Sequence, residues 1–172
     1  MAITQNDFST QPGGAVIGQS GDTSPTINAT LTVASGSTFE YGDPAVSSSD
    51  GEHYCANMSS GATFFEGIVA RFFRKGNRSM LNDEPYQASN VNFTNPDSVS
   101  LSLFGRWGVK AGEAITAKGQ AAIDENGKWV EAKAGAYAVQ GAVYESLAGS
   151  DELVWVRLTG GRLLTLIEAP AL

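Results

Sequence analysis

The stretch 99–116, VSLSLFGRWGVKAGEAIT, constrains the fold more than any other part of the chain. Val99, Leu101 and Leu103 alternate with Ser100 and Ser102, and a period of two sends one row of side chains into a core and the other into water. That is the pattern of a half-buried strand. Residues 104–107, Phe-Gly-Arg-Trp, continue extended. Gly112, with apolar residues on both sides, predicts a tight turn and a new strand running through Ile115. A strand, a turn and a second strand so close together favour antiparallel pairing, and nothing in the stretch has the residue types of a catalytic centre.

The rest of the chain repeats this signal. Residues 30–33 alternate, Ala34-Ser35-Gly36-Ser37 turns, and 38–41 form a second run that Gly42-Asp43-Pro44 closes before Ala45-Val46 resumes. Residues 52–58 predict a short strand, and 67–73, GIVARFF, a largely buried one. Asn126-Gly127 lies between two extended runs and predicts a hairpin. Residues 136–144 predict a strand with a bulge at Gly141, and 153–158 is expected to pair with 162–167 across Thr159-Gly160-Gly161. Helix is admissible only at 112–119 or 142–148. With 172 residues and 20 glycines, the expectation is one all-β domain, a single small barrel or sandwich-like domain of short antiparallel strands.

Three segments fall outside that pattern. Residues 1–28 carry Ile3, Phe8, Val16 and Ile17 at no regular period, among Gln, Ser, Thr, Gly and Pro, and read as an extended N-terminal arm that finds its surface elsewhere. Residues 79–97 are polar, with Pro85 and Pro96 and the isolated anchors Tyr86, Val91 and Phe93, and read as an insertion loop within a domain spanning 29–172. Residues 161–172 end the chain as a strand or arm.

Charge and cysteine content narrow the function. A formal charge of -7 with only 11 Lys and Arg disfavours a nucleic-acid partner, which needs a positive face. The single Cys55 excludes an internal disulfide and a cysteine-cluster metal site. No basic and apolar leader and no long apolar window is present, so neither secretion nor a membrane partner is expected. Four Asn-x-Ser/Thr sequons, at Asn28, Asn57, Asn77 and Asn92, are within what a Ser- and Thr-rich chain produces by chance.

His53 and Cys55 would share one strand face, with Glu52 on the other, but no third ligand or orienting carboxylate stands at a useful spacing. Asp124-Glu125 and Asp151-Glu152 read as loop charges. The sequence therefore implies no catalytic residue, no metal and no cofactor. Arg71, Arg74, Lys75 and Arg78 gather four cations within eight positions, either a solvated strand end or a local positive patch suited to an acidic partner. Trp107, Trp129 and Trp155 each lie on an expected strand, which favours a core or subunit-interface role over stacking on a ligand.

Three motifs in order, TLTVASGSTFEYGDPAV (30–46), GIVAR (67–71) and the 99–115 run with its GRWGVKAGEAI, resemble the bacteriophage structural cement proteins, small capsid decoration proteins. The resemblance covers about residues 30–158. It implies a barrel-like domain that binds the outer surface of an assembled major capsid protein lattice as a homotrimer, stabilises the head, and has no enzymatic activity. Ile3, Phe8, Val16, Ile17, Arg71, Arg74, Lys75, Arg78 and Trp107 are the positions then expected at capsid or subunit interfaces. A phage tail or baseplate β protein, or a carbohydrate-binding β-sandwich stacking sugars on Trp and Tyr, is the alternative from other classes.

Overall fold

Alternating apolar residues and frequent turn formers produce strands throughout the computed structural model, which describes residues 17, 18, 20, 21, 28–59, 62–70 and 92–169. Its thirteen strands are β1 (Asn28–Val33), β2 (Thr38–Phe39), β3 (Pro44–Ser47), β4 (Tyr54–Ala56), β5 (Phe65–Val69), β6 (Phe93–Thr94), β7 (Ser98–Ser102), β8 (Phe104–Lys110), β9 (Gln120–Ile123), β10 (Trp129–Glu131), β11 (Tyr137–Tyr144), β12 (Leu153–Thr159) and β13 (Leu164–Leu166). No described residue is helical, and neither of the two admissible helical stretches forms one.

Strands β1, β4, β3, β5 and β7 close a small barrel, in which β1 runs antiparallel to β7 (Leu31 opposite Val99) but parallel to β4. A second sheet runs β10-β9-β11-β12-β8, with β13 also on β11. The end of β8 returns to β10 through a bridge between Ala111 and Trp129, so the sheet curls until its edges meet at that point. Strands β2 and β6 form a separate pair.

The barrel interior holds Val33, Phe39, Ala45, Cys55, Val69, Val99 and Leu101. A larger core joins barrel to sheet, with Phe65 and Ile68 on one side and Trp107, Val109, Ile123, Trp129 and Val156 on the other. Fully burying a side chain of this size stabilises the fold by about 1.5–3 kcal/mol, so the shared core is a major part of what makes barrel and sheet one unit. Trp129 adds direction, because its Nε1 donates to the carbonyl of Gly42 at 3.0 Å and ties the sheet to a barrel turn.

Four expectations need correction. Ser102 does not face water: it is fully buried, because its ladder partner Ile68 belongs to the core shared with the sheet, and its Oγ is satisfied by donating to the Phe104 carbonyl at 3.1 Å. No strand follows Gly112, where Ile115 makes only an isolated bridge to Ala148. The 153–158 and 162–167 segments do not form a hairpin. Both β12 and β13 pair with β11, Leu158 opposite Ala142 and Leu164 opposite Val139, so they run on in one direction along the same neighbour. The chain between them bulges outward where β11 has its own irregularity.

The fourth correction concerns the arm. At Ile17, Gly18, Ser20 and Gly21 it lies on its own chain: Gly18 N donates to Gly108 O and Gly21 N to Arg106 O, both at 2.7 Å, and Ser20 bridges Trp107. These contacts cover the outer edge of β8, which would otherwise expose unpaired backbone groups. Ile3, Phe8 and Val16 lie outside the described residues, as do Arg71, Arg74, Lys75 and Arg78 and most of the insertion loop, with Tyr86 and Val91. The end of that loop contributes β6, and Phe93 meets Tyr41 edge-on at 5.3 Å.

Candidate interaction surfaces

The residue pairs that could have carried chemistry are dispersed by the fold. Cys55 is fully buried in the barrel, and burial pushes its thiol up to about 12, so it stays protonated and unreactive. His53 lies outside β4 with 84% of its side chain exposed, 3.6 Å from Glu52. Alternation does not separate those two because neither is in a strand, and His53 and Cys55 share no environment. Among the described residues no group of three or more His, Cys, Asp or Glu could hold a metal ion.

The adjacent carboxylates serve the turns in which they sit. Asp124 Oδ1 accepts from the backbone N–H groups of Asn126 at 2.9 Å and Lys128 at 2.7 Å, closing the β9–β10 hairpin around Asn126-Gly127. Glu152 Oε2 accepts from Gly149 N at 2.7 Å. Asp151 pairs with Lys110 at 2.9 Å, and that hydrogen bond holds its carboxyl below the usual range.

All three tryptophans are core residues. Trp107 and Trp129 are each 1% exposed and Trp155 is 9% exposed, which leaves no broad indole face for a sugar. Trp107 donates from Nε1 to the Phe104 carbonyl at 2.9 Å and packs in the core shared by barrel and sheet. Trp155 is sealed by its neighbours: the Arg106 guanidinium lies 4.5 Å from the ring centroid on one side, and Gly21 of the N-terminal segment packs on the ring. Glu145 pairs with both Arg106, at 2.8 Å, and Arg157, and so locks the outer face of β8 and β12. Ile17 is half-buried against Gly42 and is likewise spent on its own chain.

The surface that sequence reasoning missed is a cavity of about 180 Å³ where barrel and sheet meet. It is lined by Glu40 and Asp43 from the turn between β2 and β3, Lys110 from β8, Lys128 and Trp129 from the β9–β10 hairpin, and Asp151. Asp43 is held there by local bonding, its Oδ2 accepting from Glu40 N at 2.7 Å. Burial, reinforced by the charge of Glu40, raises its pKa to about 6 against the partial relief from that hydrogen bond and from Lys110. In the sequence Gly42-Asp43-Pro44 is a turn within the first family motif and predicts no cavity; the cavity arises because Trp129, 87 residues away, closes on that turn.

Comparison with known proteins places these observations. No curated protein sequence matches the chain. In structure it is similar to a chain in the capsid of Myoviridae phage XM1, with a TM-score of 0.58 and 18% identity over 91% of this chain and 97% of that one, which is a likeness of fold. The N base of the head fibre gp8.5 of bacteriophage phi29 also matches, with a TM-score of 0.48 and 13% identity over 81% of this chain and 98% of that one. The model of the structural cement protein family (E217 gp24/Pam3 gp6) matches residues 3–159, so that it takes in the N-terminal segment, the barrel and the sheet up to the end of β12. The chain belongs to the phage structural cement protein family.

Proposed function

We propose that the protein decorates the outer surface of an assembled phage capsid, binding the major capsid protein lattice as a homotrimer and stabilising the head without catalysing a reaction. The observation that carries this reading is the family match over residues 3–159. The fold likeness to a chain of the phage XM1 capsid supports it. The physical rationale is linkage: a protein that binds the closed lattice and not the opened one stabilises the lattice by about 2.7 kcal/mol per site at a free concentration 100 times its Kd. Many such sites on one shell resist opening together.

The cations Arg71, Arg74, Lys75 and Arg78 are the proposed contact to an acidic lattice surface, with Ile3, Phe8 and Val16 as apolar contacts ahead of the segment that folds back on β8. The test uses particles that lack the protein. Restoring it should raise the temperature at which the genome is released, and the variant carrying Arg74→Glu and Lys75→Glu should restore less, with a weaker dependence of attachment on salt. Equal genome-release temperatures with and without the bound protein would overturn the stabilising role.

A further inference from the structure

The cavity between the β2–β3 turn, the end of β8 and the β9–β10 hairpin combines two kinds of surface. The aliphatic stem of Lys128, which packs on Gly112, gives it an apolar side, and the buried Trp129 closes its floor. Glu40, Asp43 and Asp151 give it carboxylates. Of its two cations, Lys110 is committed to Asp151 at 2.9 Å, and the charge of Lys128 acts on Asp151 as well. Asp43 makes no ion pair among the described residues, and there its carboxylate accepts one hydrogen bond, from the Glu40 backbone. A half-buried carboxylate beside an apolar wall, in a space large enough for one side chain, matches a long aliphatic stem ending in a cation.

We propose that this cavity is a receptor for a single basic side chain, arginine or lysine, presented by a partner protein, with the stem against the aliphatic stem of Lys128 and the charge on Asp43. The inference stands apart from the lattice reading, since it concerns a site formed entirely within this chain. It has a proton signature. The groups facing Asp43 are Glu40 on its own turn, Lys110 on β8, Lys128 on the hairpin and Asp151 beyond it. With these in place Asp43 keeps its proton up to about pH 6, so an incoming cation must displace that proton at lower pH and meets a ready carboxylate above it.

The experiment is an amide-resolved NMR titration of the isolated full chain with N-acetyl-arginine N-methylamide, with the norleucine and glutamate analogues as controls. At pH 7.5 the arginine probe should shift the Gly112 and Gly127 amides and the Trp129 indole N–H saturably, with a Kd of about 1–10 mM, the range open to one partly exposed charge pair with stem burial. At pH 5 binding should weaken at least about fivefold, since most of Asp43 is then protonated. Asp43→Asn keeps an acceptor for Glu40 N and should abolish the saturable shifts while the remaining amides stay in place. If that variant does not fold, the pH comparison on the unaltered chain decides. Shifts that do not saturate, that are equal at the two pH values, or that the norleucine or glutamate probe reproduces would each overturn the proposal. None of those results bears on whether the protein binds a capsid.

Discussion

Asp43 shows how one side chain couples local turn chemistry to the stability of the whole. Its pKa is raised by burial to about 6 from an ordinary value of 3.8, so between those limits the folded protein holds a proton that the unfolded chain releases. Stability from this group is therefore greatest below about pH 4, falls as pH rises to about 6, and is flat above. Two pKa units correspond to about 3 kcal/mol, less roughly 1 kcal/mol for the weaker acceptor in the amide. Asp43→Asn should then raise the melting temperature at pH 7.5 by roughly 4–8 °C and remove most of the decline between pH 4 and 6, as read by calorimetry across pH. An unchanged pH profile in the variant would show that Asp43 is better solvated than its place in the cavity implies. None of this was legible in Gly42-Asp43-Pro44, because burial of Asp43 depends on the distant β9–β10 hairpin.

At the scale of elements, the accuracy of the sequence reading follows the range of the interaction. The β9–β10 hairpin is set by Asp124 and the Asn126-Gly127 turn within five residues, and the expected bulge at Gly141 is present as a register shift in β11. The pattern predicts a hairpin for β13 because two runs are separated by Thr159-Gly160-Gly161, whereas the edge they share is offered by β11, formed earlier in the chain. Ser102 failed for a related reason, since a period of two says which residues share a face and not whether a second sheet covers that face.

Two substitutions test these elements. Gly141 has φ of +71°, and a Cβ there would stand 2.4 Å from Thr159 Oγ1, which donates to the Gly141 carbonyl. Gly141→Val should cost about 2–4 kcal/mol, seen as a drop in the urea midpoint, through backbone strain and separation of β11 from β12. Gly21 has a different role: a Cβ there would stand 2.5 Å from the Trp155 ring. Gly21→Val should lift the N-terminal segment off β8, red-shift the tryptophan emission and increase its quenching by acrylamide. Unchanged emission would mean that the segment does not seal Trp155 in solution.

For the whole molecule, the folding of Gly18, Ser20 and Gly21 onto β8 divides the expected arm. Its described part completes a sheet edge of its own subunit, so truncation through Gly21 should lower the melting temperature of the isolated protein by several degrees, contrary to the behaviour of a segment that is ordered only on docking. Family membership was legible from three ordered motifs because each is tied to a structural demand: the turn that carries Asp43, the β5 wall of the barrel, and the β7–β8 passage from barrel to sheet. Surface contacts impose no periodicity, so an interface leaves no comparable pattern in the sequence, and within this chain Ile17 packs on Gly42 and Trp107 lies in the core. The central claim, preference for an assembled lattice, is tested most directly by co-sedimentation of the purified protein with undecorated capsid shells and, separately, with unassembled major capsid protein. The account predicts saturable binding to shells, at a fixed ratio per lattice site, and little binding to free subunits; equal binding to both, or no binding to shells, would contradict it.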